Sequence, residues 1–321
     1  MYLSAALILH DWAKLFNKNW LSCCIYTFCV VLLVCGCGNE NCFMKPYITS
    51  GEREPAVSPD GEFIAYTNEG KDEIWLFEVA TEESAYLTDG SLPDWSPDGE
   101  WIVYVKNRNI HKINVATKDV TQLTTWGSCF FPAWSPSGNR IAFDTDYDDP
   151  EGAKVIWLMD TNGTNLKDIS VHGTGEWRQP KWSPSGVQIV HIRYVNVTYP
   201  EIFVMDSSGQ NGVRLTDNLI LDESPVWSPA GSRIAYVSAS EYVDYNIWTM
   251  DTTGANTAQL TSTGGCDPTW TPDGNCIVYA MEEITEKATY IEVVYHLWIM
   301  NTDGTEKRQL TFGNSGGRSG K

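Results

Sequence analysis

One phrase recurs along this chain and limits its fold more than any other feature. Leu92 to Tyr104 reads LPDWSPDGEWIVY, and edited copies follow as FPAWSPSGNRIAF, QPKWSPSGVQIVH, SPVWSPAGSRIAY and DPTWTPDGNCIVY. The turn at its centre occurs six times, opening at Ser58, Ser96, Ser135, Ser183, Ser228 and Thr271, with successive openings 38, 39, 48, 45 and 43 residues apart. That is the period of a propeller blade, roughly 40–50 residues.

The letters have physical reasons. Ser or Thr at the first position accepts a local hydrogen bond, Pro at the second pre-sets φ, and Gly at the fourth tolerates a left-handed backbone, so the phrase closes a tight hairpin. The tryptophan before it (Trp95, Trp134, Trp182, Trp227 and Trp270, with Val57 the exception) belongs on an innermost strand. Facing blades need a large apolar filler there, and burying one such ring contributes on the order of 2–3 kcal/mol. After each turn comes an apolar run such as Phe63-Ile64-Ala65-Tyr66, a variable polar loop, and an aromatic-rich run such as Ile156-Trp157-Leu158-Met159. A second turn such as Asp160-Thr161-Asn162-Gly163 follows, then a short strand ending in Leu-Thr or an equivalent, as at Leu87-Thr88 and Leu310-Thr311.

The expected fold is all-β: a six-bladed β-propeller of four-stranded antiparallel blades over residues 53–312, preceded by an N-terminal signal or lipoprotein segment, 1–37, and a linker, 38–52, and followed by a flexible tail, 313–321. Tyr47-Ile48-Thr49 in the linker resembles the closing strand of each repeat, although the sixth repeat already has Leu310-Thr311. Which of the two closes the ring stays open at this level.

Asp11 and Glu40 balance Lys14 and Lys18 within residues 1–44, so the formal charge of −19 belongs to the remainder. Such a surface repels phosphate backbones, and no nucleic acid partner is expected. Leu21 to Cys35 is apolar and uncharged, too short for a comfortable membrane span and suited to a secretory core after Lys14 and Lys18. Val34-Cys35-Gly36-Cys37 resembles a bacterial lipobox, which implies lipidation at Cys37; an uncleaved signal anchor is the alternative. Either places the remainder outside the cytoplasm and touching a membrane only through this segment. Cys129, Cys266 and Cys276 are the cysteines of the repeats, and their spacing assigns no disulfide and no zinc site.

The pattern P-x-W-S-P-D-G-x-x-I-A-Y, then I-W-x-M-D-x-x-G, then L-T, resembles the WD40-like (PD40) repeat of TolB-like six-bladed β-propellers, also seen in propeller domains of prolyl-oligopeptidase-type peptidases. The resemblance covers residues 53–312. It implies a periplasmic platform that binds proteins. Only some fifteen residues separate Cys37 from the first repeat, so the separate N-terminal α/β domain of TolB is expected to be missing, and TolB's own lipoprotein partner is not carried over.

In an antiparallel meander the stereotyped turns share one face and the variable loops the other, where function usually sits. The expected binding surface comprises Trp126, Phe130, Phe131, Trp177, Arg178, Asp222, Glu223 and Asp267, with Trp177 and Arg178 foremost. Rings beside carboxylates and an arginine suit an envelope protein or peptide segment, or a glycan, bound by a monomer. Asp144, Asp146 and Asp148 offer alternating oxygen ligands for Ca²⁺ but lack the Gly and Glu of an EF-hand. No other cofactor is expected. Gly313-Asn314-Ser315-Gly316-Gly317 matches G-x-S-x-G without the strand, helix, and later Asp and His that a nucleophile elbow needs. His172, with Asp222 or Glu223, is the one acid–base candidate for a glycan lyase or hydrolase. The preferred reading is a non-catalytic binding or scaffold protein of the cell envelope; the alternatives are that propeller enzyme and an orphaned propeller of a peptidase lineage.

Overall fold

A computed structural model describes residues 47–147, 152–170, 175–195, 199–240 and 244–312. Cys37, Asp148, His172 and the 313–321 tail lie outside the described residues. All regular structure among those described is β.

The first repeat supplies β1 (Tyr47–Val57), β2 (Phe63–Glu69), β3 (Glu73–Glu78) and β4 (Glu83–Asp89). The second supplies β5 (Ser91–Trp95), β6 (Trp101–Lys106), β7 (Asn109–Asn114) and β8 (Val120–Gln122). The third supplies β9 (Cys129–Trp134), β10 (Arg140–Thr145), β11 (Val155–Asp160) and β12 (Lys167–Asp168). In the fourth are β13 (Trp177–Trp182), β14 (Gln188–Tyr194), β15 (Pro200–Asp206) and β16 (Val213–Arg214). In the fifth are β17 (Leu221–Trp227), β18 (Arg233–Ala239), β19 (Asn246–Asp251) and β20 (Ala258–Gln259). The last holds β21 (Cys266–Trp270), β22 (Cys276–Glu286), β23 (Ile291–Asn301) and β24 (Arg308–Gln309).

The all-β propeller stands, but the expectation of six separate four-stranded blades is corrected. Four such sheets are present, formed by the second to fifth repeats, while the first and last repeats share one eight-stranded sheet in the order β21-β22-β23-β1-β2-β3-β4, with β24 also on β23. Strand length is the reason. β1 runs unbroken from the Tyr47-Ile48-Thr49 stretch into the first repeat's innermost strand, and β23 is eleven residues long. β24 engages only Trp298 and Ile299 of β23, so both candidate closing strands find a place. Gly51 lies so close to β23 that a Cβ there would stand 2.2 Å from the Tyr295 carbonyl oxygen; with φ at 111°, glycine is what this approach requires.

The chain divides into two compact units. The larger, Ser50–Ile284 with Val294–Lys321, carries every site discussed below. The smaller includes the described residues 47–49 and 285–293, where the Lys287 N–H donates to the Tyr290 carbonyl and Lys287 Nζ lies 3.2 Å from Glu292.

In the larger unit the repeats follow one another in a circle. The glycine of each S-P-x-G turn faces the proline of the preceding turn: Gly99 on Pro59, Gly138 on Pro97, Gly186 on Pro136, Gly231 on Pro184, Gly274 on Pro229, and Gly61 back on Pro272. The tryptophans before the turns are mostly buried, Trp95, Trp134, Trp227 and Trp270 fully and Trp182 partly. The core lies between adjacent sheets rather than in one central mass: Trp227, for example, packs with Val190, Ile202, Ile234 and Met250 from two neighbouring repeats.

Candidate functional site

The innermost strands set the site. Each carries a proline two residues before the tryptophan position, at Pro55, Pro93, Pro132, Pro180, Pro225 and Pro268. Proline donates no ladder bond and favours an edge or bulge, and the register of every innermost strand slips at this point. The residue before each proline adopts the left-handed region, with φ of 56° at Glu54, 58° at Leu92, 48° at Phe131, 54° at Gln179, 51° at Ser224 and 51° at Asp267. Bulges re-aim side chains and increase local twist. Here they put one residue per repeat around a common axial opening of about 80 Å³, lined by these six residues and most of the prolines.

A bulge also frees a backbone N–H, which must find an acceptor. Side chains of the preceding repeat provide several. Glu54 N–H donates to Asp267 (3.4 Å), Leu92 N–H to Glu54 Oε2 (3.0 Å), Gln179 N–H to Asp144 Oδ2 (3.1 Å) and Ser224 N–H to Gln179 Oε1 (2.7 Å). The polar ring that lines the mouth thus also latches neighbouring repeats together.

Its electrostatics are unbalanced. Arg53 Nε and Nη2 both lie 2.9 Å from Asp267 Oδ2, Nη1 is 4.0 Å from Glu69, and the guanidinium sits 4.7 Å over the Tyr295 ring. Burial, reinforced by the Asp267 charge and opposed by Arg53, pushes both Glu54 and Glu223 up to about 7. Glu69 and Glu282 are also raised by burial, each against the pull of Arg53. Glu54, Glu69, Glu223, Asp267 and Glu282 therefore crowd around Arg53, with Arg178 the other cation felt by Glu223. Arg178 is itself committed to Asp144, at 3.7 Å, and lies 5.9 Å from the Phe131 ring.

The sequence-predicted residues divide accordingly. Phe131 and Asp267 line the mouth, Glu223 lies close enough to feel the charges of Asp267, Arg53 and Arg178, and Arg178 stands behind the mouth, only 5% exposed. Phe130 packs under the Lys154 ammonium, at 4.3 Å. Trp177 is part of the wall rather than an exposed platform: it is 4% exposed, stacked on His191 at 4.6 Å between centroids, with Arg193 5.0 Å away on the ring. Asp222 is likewise fully buried and accepts a 2.7 Å hydrogen bond from Asn218. Trp126 is half-buried against Tyr147, at 4.5 Å. Asp144 is not a loop ligand but a buried residue of β10, held at about 6 by burial against the opposing pull of Arg178 and Lys154. Asp146 follows the end of that strand, and among the described residues no group of three or more His, Cys, Asp or Glu is placed to hold a metal.

Arg53, Glu54, Glu69, Glu282 and Tyr295 were not singled out in the sequence. The signal for the first two was present, since Arg53-Glu54 precedes Pro55 as Arg178-Gln179 precedes Pro180. Glu69 ends β2, the strand paired with Arg53's β1, whereas Glu282 and Tyr295 lie within β22 and β23 of the last repeat and meet Arg53 only through ring closure.

On the turn side the channel widens into a cavity of about 280 Å³, lined among others by Trp95, Trp134, Trp182 and Trp227. Across it Lys181 Nζ of the fourth repeat lies 2.7 Å from Asp94 Oδ1 of the second. The other Asp94 oxygen accepts the Trp134 backbone N–H at 2.7 Å.

A ring of repeats around a channel ending in a carboxylate-rich mouth defines a β-propeller with a polar axial site. Residues 49–241 and 92–318 match the TolB beta propeller domain family, PD40, and the chain belongs to that family. It is 31% identical over 159 residues to the uncharacterized protein Atu1656 of Agrobacterium fabrum, a match over 44% of this chain and 54% of that protein. It is 27% identical over 183 residues to the Tol-Pal system protein TolB of Francisella tularensis, over 52% of this chain and 38% of TolB. The matched stretch thus spans about half the length or less of these relatives. The solved structure of a putative TolB from Agrobacterium tumefaciens superposes with a TM-score of 0.64 at 20% identity, covering 74% of this chain and 88% of that one, which is likeness of fold.

Proposed function

We propose that this chain is a non-catalytic binding protein of the bacterial cell envelope, and that its channel mouth receives a basic segment of another envelope protein. One observation carries the reading: Glu54, Glu69, Glu223, Asp267 and Glu282 gather around Arg53, and burial together with the Asp267 charge holds Glu54 and Glu223 up at about 7 against the pull of Arg53. A lysine, arginine or terminal amine entering the mouth supplies further positive charge. The TolB relatives support an envelope role, and the lipobox-like segment supports export and anchoring at Cys37, which loss of palmitate labelling in Cys37→Ser would test.

The described histidines favour the non-catalytic reading. His191 is buried against Trp177 and Phe203 and held down at about 3 by burial. His111 contacts the Asn109 carbonyl and the Tyr104 ring, and His296 lies 3.2 Å from Glu52. None shares the mouth with a nucleophile. The test is affinity capture from an envelope extract with the full chain and with a Glu223→Gln, Asp267→Asn variant. Capture that is lost in the variant, and displaced from the wild type by an oligolysine peptide, is expected. Equal capture by both proteins would refute the assignment of the mouth.

A further inference from the structure

The outer edge of the first repeat stands apart from the mouth. In the order β1-β2-β3-β4, β4 is the last strand and pairs only with β3, three strand spacings, about 14 Å, from the β1 that carries Glu54. A free edge presents unpaired N–H and C=O groups, which proteins usually blunt by shortness, proline, lysine or a bulge. The other outermost strands are short: β8 has three residues and β12, β16, β20 and β24 two each, whereas β4 has seven. β4 holds no proline and no lysine, and its register slips only between Tyr86 and Thr88. Glu83 to Tyr86 is thus a regular run, and all four of its residues are exposed, Tyr86 by 49%.

Charge decides what can cover this edge. Glu78 of β3 stands directly opposite Glu83 at one end of the ladder, and Glu73 opposite Asp89 at the other; like charges so placed are destabilising. Lys106 lies 3.1 Å from Asp89, and Arg308 lies 3.1 Å from the neighbouring Glu82. Glu73, Glu78 and Glu83 have no ion-pair partner among the described residues, and the first two accept only from the neutral Trp75 and Thr81 side chains. A second copy of the chain fits poorly, because antiparallel pairing centred on Tyr86 would set Glu83 against Asp89 at both ends. We infer that β4 is a docking edge that takes one added strand from another protein, an extended segment with lysine or arginine toward its ends. The main chain of that segment continues the ladder, and its cations relieve the opposed carboxylates. A β-branched or aromatic residue at its centre packs on Tyr86, whose ring stands edge-on to Trp75 at 6.0 Å.

The test is amide hydrogen exchange of the full chain, at low salt, titrated with a peptide of alternating threonine and valine that carries a lysine at each end. Saturable slowing of exchange in β4 below about 1 mM peptide is expected. The affinity read this way should fall about five-fold or more in a Glu78→Gln, Glu83→Gln variant whose melting temperature shows it folded. It should be unchanged in the Glu223→Gln, Asp267→Asn variant of the mouth, so this proposal and the reading of the mouth fail separately. A peptide of the same charge with its backbone nitrogens methylated cannot extend the ladder and should leave β4 exchange as it was. No slowing in β4 up to about 1 mM, equal slowing by the methylated peptide, or undiminished affinity in the Glu78→Gln, Glu83→Gln variant would overturn the proposal. Slowing that grows with protein concentration in the absence of peptide would assign the edge to a second copy and overturn it as well.

Discussion

Replacing Arg53 by Met tests the charge arrangement most sharply. The methionine keeps much of the aliphatic stem but removes the guanidinium that lies over Tyr295 and faces Asp267 and Glu69. The Arg53 and Asp267 side chains are only 11% and 10% exposed, and breaking a buried pair by removing one partner costs about 3–5 kcal/mol because the other charge is stranded. For a domain of this size that corresponds to a fall of about 6–20 °C in melting temperature. The cost should depend on pH. Glu54 and Glu223, ordinarily near 4.5, stand at about 7 in the folded chain. The folded state therefore holds more protons than the unfolded state across that window, and their destabilising effect grows as pH rises through it. Without Arg53 these carboxylates rise further, so the loss should be full at pH 8 and much smaller at pH 4.5. Urea unfolding of both proteins at the two pH values measures this. A loss of the same size at both, or one under about 1 kcal/mol at pH 8, the level of an ordinary surface pair, would refute the reasoning.

Other perturbations follow from single contacts. Trp177→Ala should cost about 3–5 kcal/mol of stability in urea unfolding, because the ring is stacked in the wall on His191. His191 is held down at about 3 against an ordinary 6.5, so it takes stability away as pH falls from about 6.5 toward 3. His191→Phe should therefore be near neutral at pH 8 and stabilising at pH 4, and an equal effect at both would count against burial of a neutral imidazole. At Gly209 an added Cβ would stand 1.8 Å from the Ile169 carbonyl oxygen, whereas at Gly99 it would meet only Pro59, at 3.8 Å. Thermal melts should show Gly209→Ala losing well over the roughly 1–2 kcal/mol of left-handed strain that limits Gly99→Ala.

The repeat, its turns and the burial of the tryptophans were legible because each rests on local chemistry. Ser-Pro-x-Gly closes a hairpin wherever it occurs, and an indole before it must find cover. The merged sheet was not legible, since it depends on β1 meeting β23 across the whole length of the chain. The site was half visible. Asp267, Phe131 and Glu223 were found because they fall in the variable stretches before the recurring turns, whereas Glu282 and Tyr295 look like ordinary strand residues until closure brings them to Arg53. Trp177 and Asp222 misled for a related reason: a loop-like stretch became the start of an innermost strand, and its side chains turned inward.

The carboxylates gathered around Arg53 at the mouth outnumber the cations there, and a basic ligand is what redresses the balance. Titration of an oligolysine peptide into the full chain by calorimetry, at pH 7 in two buffers of different ionisation enthalpy, counts the protons exchanged on binding. Net release at pH 7, fading by pH 9 where Glu54 and Glu223 are already ionised, is the predicted result. Binding with no proton release at pH 7, or with proton uptake, would contradict it.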